Sequence, residues 1–332
     1  MKTFIIAEIG VNHNGSAEMA FRMIEKAAKA GADAVKFQTF KAEDIVTRYA
    51  PKAEYQKAND DSVTQFEMLK MLELSLDDYK RIMDKCREEG VEFMSSPFSI
   101  KSAEFLASLG MKRWKIASGE ITNLPLLRYI AKVADSVILS TGMSTLSEVE
   151  AAIQVLEQSG LKRDKIQLLH CTTSYPTPFD QVNLKAMQTL RSLNVAGVGY
   201  SDHTVGINIP MAAVSMGATV IEKHFTLDRS LPGPDHQASL EPDEFEKMVS
   251  GIREIELALG NGEKQPSAVE LSNLTVARKS IVAAVPIKAG EILTELNLTV
   301  KRPGSGMSPM LWDDVLGQKA NRDYQKDEQL EL

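Results

Sequence analysis

The order of apolar and amphipathic segments constrains the fold of this chain more than any other feature of its sequence. Eight short apolar or β-branched runs, typical of buried strands, lie at 4–9, 34–38, 91–96, 113–117, 136–141, 165–170, 195–201 and 218–224. Helical periodicity follows each run, and the helices are predicted to begin near Ala17, Leu76, Lys101, Leu124, Leu146, Leu184, Ile207 and Pro242. Eight such βα units predict an α/β fold, the (β/α)₈ TIM barrel.

A doubly wound sheet, the other common α/β architecture, is disfavoured by the first strand. Such sheets usually have fewer strands and carry a glycine-rich phosphate fingerprint after strand one. Here strand one continues into EIGVNHNG (8–15), which contains no GxGxxG. A long polar segment, 39–65, separates the second strand from its helix. On a barrel we expect this segment to lie over the catalytic face as a lid or substrate wall.

The sequence pattern changes after Gly260. Residues 261–277 have the composition of a linker, and the remainder reads as short strands and turns. We therefore expect a catalytic barrel at 1–260, a linker at 261–277 and a small second domain at 278–332.

Charge and composition exclude several classes of partner. The net charge is −7 and no basic run exceeds two residues, so neither nucleic acid nor anionic lipid is an expected partner. No apolar run approaches the roughly 20 residues of a membrane helix, and the N-terminus does not resemble a signal peptide. The two cysteines are far apart and suit a reducing compartment. The predicted location is the cytoplasm.

Polar residues end all eight predicted strands, where a barrel carries its chemistry. In chain order they are Glu8, Lys36 and Gln38, Ser96, then Lys115 with Ser118 and Glu120, Ser140, His170, Ser201 and Glu222. All five histidines also lie at or just after a strand end, and none lies in a predicted helix. These residues are expected to converge on one rim.

Two of the histidines, His203 and His224, end the adjacent strands seven and eight. Two imidazoles near a carboxylate such as Glu8 or Asp235 could bind one divalent ion. A pair of histidines makes an open site, which suits a catalytic metal and not a closed structural zinc.

Two lysines, Lys36 and Lys115, are predicted to point into the same rim. Their desolvation is costly unless an anion such as phosphate or carboxylate is the partner. Ser118 and Ser140 precede helices and could complete a phosphate cradle. Two alternatives stay open: a buried ion network between these lysines and Glu8, Glu120 or Glu222, and a Schiff-base role for Lys115.

An ordered series of motifs resembles the sialic acid synthase family almost from end to end. The motifs are AEIGVNHNG, KFQTF, SSPF, KIASGEITN, LSTGM, LLHCTTSYPTP, GYSDHT, EKHF, PGPDH and VKRPG. The resemblance implies a barrel followed by an antifreeze-like (SAF) domain, and a homodimer that swaps this domain. It also implies that phosphoenolpyruvate condenses with N-acetylmannosamine to give N-acetylneuraminate and phosphate, with metal assistance and C–O cleavage.

The same resemblance implies roles for individual residues. His203 and His224 match the metal pair for Mn²⁺ or Mg²⁺. The phosphoenolpyruvate contacts match Lys36, Lys115, Ser118 and Ser140. The residues around the amino sugar match Gln38, Tyr175, Asp235 and Arg302, the last supplied by the second subunit. Glu8 and Glu120 match acidic positions of the family, and we add Glu222 as a catalytic candidate and His170 and Ser201 as substrate contacts.

The acceptor sugar is less well indicated than the reaction. KFQTF and GEITN stand where some sialic acid synthases have KHQTH and GECNN, and PGPDHQASLEP resembles both sialic and legionaminic acid enzymes. We expect N-acetylmannosamine as the acceptor, with 2,4-diacetamido-2,4,6-trideoxymannose, the legionaminic acid precursor, as the alternative. A remote alternative is a sugar-binding protein without catalysis.

Overall fold

The computed structural model describes residues 2–52, 62 and 64–331. The chain divides into two compact units, Met1–Gly260 and Asn261–Leu332. Among the described residues no helix combines the length and apolar character that a membrane crossing requires.

The first unit contains a sheet of eight parallel strands, which confirms the predicted TIM barrel. They are β1 Phe4–Gly10, β2 Ala34–Thr39, β3 Glu92–Pro97, β4 Arg113–Ile116, β5 Ser136–Ser140, β6 Ile166–His170, β7 Gly197–Asp202 and β8 Val220–His224. Their order in the sheet is β3-β2-β1-β8-β7-β6-β5-β4. Between the two end strands, Arg113 Nε lies 3.0 Å from Glu92 Oε1, an ion pair that joins β4 to β3.

The described helices of this unit begin within two residues of the predicted positions, except for two in the segment that follows β2. They are α1 Ala17–Lys29, α2 Ala42–Ile45, α3 Gln65–Met71, α4 Leu76–Glu89, α5 Ile100–Ser108, α6 Leu124–Val133, α7 Leu146–Gln158, α8 Ala186–Arg191, α9 Asn208–Ser215 and α10 Pro242–Leu259. The side chains of Ser16, Ser75 and Thr145 cap α1, α4 and α7 by accepting backbone N–H bonds.

Side chains alternate between the barrel interior and the surrounding helices, as strand geometry requires. The interior contains one apolar cluster, formed by Ile6, Ala34, Met94, Ile138, Leu169 and Val220. Two positions further along each of these strands the inward positions hold Glu8, Lys36, Ser96, Ser140, Cys171 and Glu222. The apolar layer is therefore the floor beneath a polar mouth.

In its described residues, the segment between β2 and α4 contains two short helices that we did not predict, α2 and α3. Thr64 caps α3 with a reciprocal bond to Glu67, the capping-box pattern. The predicted lid at 39–65 lies in part outside the described residues, because these omit 53–61 and 63.

The second unit has its own small core and a two-stranded antiparallel sheet. Its elements are α11 Ala268–Ala277, β9 Ser280–Ala283, β10 Leu298–Lys301 and α12 Trp312–Val315. Buried side chains such as Ile281, Leu293 and Tyr324 form this core. The segment 261–277, predicted to be a linker, contains α11, whose capping box of Ser267 and Glu270 we overlooked.

Candidate active site

A cavity opens at the carboxyl ends of the strands of the barrel. Twelve of the fifteen predicted site residues line it: Glu8, Lys36, Gln38, Lys115, Ser118, Ser140, Tyr175, Ser201, His203, Glu222, His224 and Asp235. They come from the ends of six strands and from the loops after β6 and β8, so the barrel brings together residues that are far apart in the chain. The predicted convergence on one rim is therefore observed for these twelve.

Two lysines and two glutamates form a buried ion network at the centre of the cavity. Lys36 Nζ lies 2.6 Å from Glu8 Oε2 and 3.8 Å from Glu222 Oε2, and Lys115 Nζ lies 3.4 Å from Glu222 Oε1. All four residues expose 3% or less of their surface. Buried charges need such partners, and the network leaves both ammonium groups facing the cavity.

Neighbouring polar side chains orient the two carboxylates. Gln38 Nε2 donates to Glu8 Oε1 at 3.3 Å, and Ser201 Oγ donates to Glu222 Oε1 at 3.1 Å. These hydrogen bonds therefore fix the orientation of both carboxylate groups in the cavity.

The two glutamates have pKa values displaced in opposite directions. Burial raises the pKa of Glu8 to about 7, and the nearby Lys36 offsets this only in part. For Glu222 burial also acts upward, but Lys115, Lys36 and the Ser201 hydroxyl together lower its pKa. When two neighbouring carboxyl groups have pKa values displaced in opposite directions, one can transfer protons while the other stays ionised.

The two lysines also differ. Burial lowers the pKa of Lys115, against the attraction of Glu222. For Lys36 the same effect of burial is outweighed by Glu222 and Glu8, which raise its pKa. An anionic ligand would add a second negative partner to both ammonium groups.

Near the strand end of Lys115, the backbone at Gly142 packs closely against the side chains of Ser118, Cys171 and Thr173. Gly142 N–H donates to Ser118 Oγ at 3.0 Å, and Ser118 Oγ lies 3.2 Å from Cys171 Sγ. A Cβ at Gly142 would stand 2.5 Å from Thr173 Oγ1, so only glycine fits there. This corner combines hydroxyls with Lys115 and suits a compact anion.

His203 and His224 stand side by side on β7 and β8, with ring centroids 5.3 Å apart. His203 Nδ1 lies 2.7 Å from Thr172 O, so this nitrogen carries the proton and leaves Nε2 as the free lone pair. Burial lowers the pKa of His203 to about 4 and that of His224 well below its usual value. Both rings are therefore neutral, the state that binds a metal.

The pair fits an open metal site better than a closed one. Among the residues that the structure describes, no group of three or more His, Cys, Asp or Glu side chains is arranged to hold an ion. Within this described part of the chain, His224 Nδ1 is nevertheless buried without a hydrogen-bond partner, 3.8 Å from Asp235 Oδ2. Two neutral imidazoles beside a carboxylate leave room for water or a substrate oxygen.

Two predicted site residues of the first unit do not line this cavity, and a third, Arg302, lies in the second unit. His170 points outward because Leu169 fills the barrel interior, and its Nε2 lies 2.8 Å from Val182 O. Glu120 accepts a 2.6 Å bond from Asn123 in the turn after β4. Arg302 belongs to the second unit, where its Nε donates to Ala277 O at 3.0 Å.

Sequence reasoning also missed lining residues. At the end of β6 we expected His170 to face the cavity, but the next residue, Cys171, faces it instead. Thr173, two residues later, also lines the cavity. The period-2 alternation of β6 could have identified Cys171, because Leu169 lies two positions before it. The side of the cavity formed by Met68, Leu69 and other apolar residues carried no chemical signal and was not predicted.

Two loops at the rim are tied together beside Asp235. Asn14 Nδ2 donates to Pro232 O at 2.9 Å, and His236 Nε2 lies 3.2 Å from Asn14 Oδ1. The other ring nitrogen of His236 lies 2.7 Å from Thr226 Oγ1. Burial lowers the pKa of His236 to about 4, so the neutral ring acts as a structural bridge.

Comparison with known proteins assigns both units to families. Residues 23–264 match the NeuB family and residues 278–331 match the SAF domain. The N,N'-diacetyllegionaminic acid synthase of Campylobacter jejuni subsp. jejuni is 52% identical over 330 residues, covering 98% of each chain. That of Legionella pneumophila subsp. pneumophila is 48% identical over 322 residues, covering 96% of this chain and 90% of the relative. The crystal structure of an N-acetylneuraminic acid synthetase from Leptospira borgpetersenii superposes with a TM-score of 0.73 at 36% identity, covering 82% of this chain and 90% of the other.

Proposed function

The chain belongs to the NeuB family, and on that premise we propose that it is a phosphoenolpyruvate-dependent sugar acid synthase. The family resemblance that the motifs predicted is thereby confirmed. The observation that carries the proposal is the meeting of two buried lysines and two neutral histidines in one cavity. The lysines suit an anionic substrate, and the histidines suit a metal that activates a carbonyl group.

The comparisons favour the alternative acceptor over our main prediction. We predicted N-acetylmannosamine, whereas the relatives that are 52% and 48% identical are N,N'-diacetyllegionaminic acid synthases. The similarity to the Leptospira sialic acid enzyme is lower, at 36%. We therefore propose 2,4-diacetamido-2,4,6-trideoxymannose as the acceptor and N,N'-diacetyllegionaminate as the product.

The proposed reaction joins C3 of phosphoenolpyruvate to the aldehyde carbon of the open-chain sugar. The aldehyde oxygen takes up a proton and becomes a hydroxyl. Water adds to C2 of the former phosphoenolpyruvate, and the bond from C2 to the bridging oxygen breaks, so that phosphate leaves with that oxygen. Holding two substrates in line for this step can contribute about 7–11 kcal/mol.

The residues on the phosphate side bind and orient phosphoenolpyruvate in this proposal. Lys36 and Lys115 neutralise its negative charges, and Ser118 and Ser140 donate hydroxyl hydrogen bonds. Glu222, with its lowered pKa, stays ionised and keeps both ammonium groups in place.

The residues on the sugar side hold the aldehyde end of the acceptor. His203 and His224 would bind Mn²⁺ or Mg²⁺, with Asp235 beside them. When bound, the ion acts as a Lewis acid toward the aldehyde oxygen. Tyr175, whose ring centroid lies 4.1 Å from that of His203, packs against this end of the cavity, and Gln38 and Ser201 complete its polar lining.

Glu8 is the proposed proton acceptor for the attacking water, and this predicts a pH profile. A base must be ionised, so kcat/KM should rise as the pH increases through about 7, the pKa of Glu8. Glu8→Gln should lose this acidic limb and roughly 10²–10⁴-fold of the rate. Glu120→Gln, a carboxylate near the same rim but outside the cavity lining, is the control and should keep the limb. If Glu8→Gln keeps the native pH profile of kcat/KM, a residue other than Glu8 accepts the proton from water.

The link between Asn14 and His236 should position Asp235 for the sugar. Asn14→Ala removes two hydrogen bonds and is expected to raise KM for the sugar about tenfold while leaving KM for phosphoenolpyruvate nearly unchanged. Asn194→Ala is the matched control, since both asparagines have a positive φ, 49° and 54°. Asn14→Asp keeps the acceptor oxygen and should recover part of the loss. Equal changes in both KM values would contradict a positioning role.

A phosphate-release assay with a panel of acceptors tests the proposed substrate. We expect turnover with phosphoenolpyruvate and 2,4-diacetamido-2,4,6-trideoxymannose to exceed turnover with N-acetylmannosamine. Preference for N-acetylmannosamine would restore our first prediction. Calorimetric binding of the sugars without any phosphate release would indicate the sugar-binding alternative.

A domain-swapped homodimer remains our proposal for the assembly, with Arg302 of the partner subunit reaching the sugar. It predicts that inactive Arg302→Ala and His203→Ala chains partly complement each other when mixed, because one mixed site then holds both native residues. Recovery of up to about one quarter of native activity is expected for random exchange. No recovery despite demonstrated subunit exchange would contradict a shared site.

A cytoplasmic location for the protein also remains a proposal.

A further inference from the structure

Part of the cavity lining is apolar, in contrast to the buried ion network. This side, here called the apolar wall, consists of Val11, Met68, Leu69, Leu72 and Phe98. Their side chains contain no oxygen or nitrogen, so none offers a hydroxyl group a strong hydrogen-bond partner.

The apolar wall is a packed surface and not a set of isolated side chains. Its five residues belong to one hydrophobic cluster, which Phe40 and Ile45 complete. The rings of Phe40 and Phe98 meet edge to face at 6.3 Å. Met68 and Val11 expose 1% and 3% of their surface, so the wall is held in place from behind.

The topology places the residues of the apolar wall after β1, β2 and β3, next to the strands that lead to the two histidines. Val11 follows β1, α3 with Met68 and Leu69 follows β2, and Phe98 follows β3. The two histidines end β7 and β8, and β8 is the neighbour of β1 in the sheet. In a six-carbon sugar whose C1 lies at the histidines, C2 stays close to them and C6 is the far end of the chain.

We propose that the apolar wall binds the C6 methyl group of a 6-deoxy sugar and so selects against sugars with a 6-hydroxyl. This inference rests on the proposed function and adds the residues that determine specificity. A 6-hydroxyl placed against these side chains loses its hydrogen bonds to water and gains none in return. A methyl group at the same place instead gains apolar contact.

The matched acceptor pair for the test differs only at C6. It comprises 2,4-diacetamido-2,4,6-trideoxymannose and 2,4-diacetamido-2,4-dideoxymannose, which carries a 6-hydroxyl. For the native full-length enzyme we expect kcat/KM to be roughly 10- to 100-fold higher with the 6-deoxy sugar, the range that apolar pockets reach in such discrimination. KM for phosphoenolpyruvate should be equal with the two sugars.

The matched variants lie on one helix. Leu69 is half-buried and lines the cavity, whereas Met71 on the same helix is 60% exposed and does not. Leu69→Gln should reduce the preference for the 6-deoxy sugar about tenfold, mainly by lowering kcat/KM for that sugar. Leu69→Met and Met71→Gln should keep the native preference. The native enzyme with the two sugars tests the proposal even if Leu69→Gln fails to fold.

The outcomes separate this inference from the proposed function. Equal kcat/KM for the two sugars in the native enzyme, or an unchanged preference in folded Leu69→Gln, would contradict the proposed role of the apolar wall. The synthase activity would then still be supported. A third acceptor, 2-acetamido-2,6-dideoxymannose, lacks the 4-acetamido group. If Leu69→Gln alters discrimination at C4 and not at C6, the wall binds the acetyl group and the inference is wrong. Absence of phosphate release with every acceptor would instead overturn the proposed function.

Discussion

His203→Ala is expected to lower kcat/KM for phosphate release by roughly 10³-fold, because a metal that activates a carbonyl contributes several kcal/mol and the variant keeps only one imidazole of the pair. Exhaustive chelation of the native enzyme should have a comparable effect, and added Mn²⁺ or Mg²⁺ should restore activity. The free energy of unfolding without metal should fall by about 1–3 kcal/mol, because Thr172 O loses its hydrogen bond from the buried His203 ring, which also packs on Tyr175.

His170→Ala is the control for this variant. Both histidines follow predicted strand ends, but His170 faces away from the barrel interior and contacts Val182 O. We expect its kcat/KM to stay within about threefold of native, as for residues that do not touch the reacting groups. If activity survives chelation, or if His203→Ala keeps near-native turnover, the proposed catalytic role of the metal is wrong.

Lys115→Met is the second change with a large expected effect. It should reduce kcat/KM for phosphoenolpyruvate by roughly 10³-fold, because a buried ammonium facing an anionic substrate is lost. It should also lower the free energy of unfolding by about 3 kcal/mol, because Glu222 loses the ammonium group at 3.4 Å and keeps the more distant Lys36, at 3.8 Å, and the Ser201 hydroxyl.

A double variant separates binding from stability. Lys115→Met with Glu222→Gln removes both charges of the pair and should recover most of the lost stability without recovering activity. Recovery of activity in the double variant would mean that Lys115 acts only as a partner of Glu222. Borohydride trapping addresses the Schiff-base alternative: a covalent pyruvyl adduct on Lys115 would replace the proposed mechanism.

Strand alternation explains why most of the site could be predicted from the sequence. Once eight strands were assigned, Glu8, Lys36 and Glu222 had to share the inward face with the apolar residues two positions before them. The β8 sequence EKH shows the same rule within three residues. Glu222 and His224 line the cavity, whereas Lys223 points outward and is buried against Asp202 Oδ2 at 2.5 Å.

The errors of prediction arose where local sequence does not determine direction or distance. His170 was assigned by its position at a strand end, but the parity of β6 gives the inward position to Cys171. The helix α11 was missed because the residues before it, GNGEKQPS, have the composition of a linker, although its capping box was present. The apolar wall could not be inferred, because Met68 and Leu69 resemble ordinary core residues and reach the cavity only through the packing of α3.

Phosphoenolpyruvate labelled with ¹⁸O in its bridging oxygen shows whether this enzyme breaks the bond between C2 and that oxygen when it releases phosphate. With 2,4-diacetamido-2,4,6-trideoxymannose as acceptor, mass spectrometry should find the label in the released phosphate and unlabelled solvent oxygen at C2 of the sugar acid. Label retained in the sugar acid, or phosphate released without a new carbon–carbon bond, would contradict the proposed condensation.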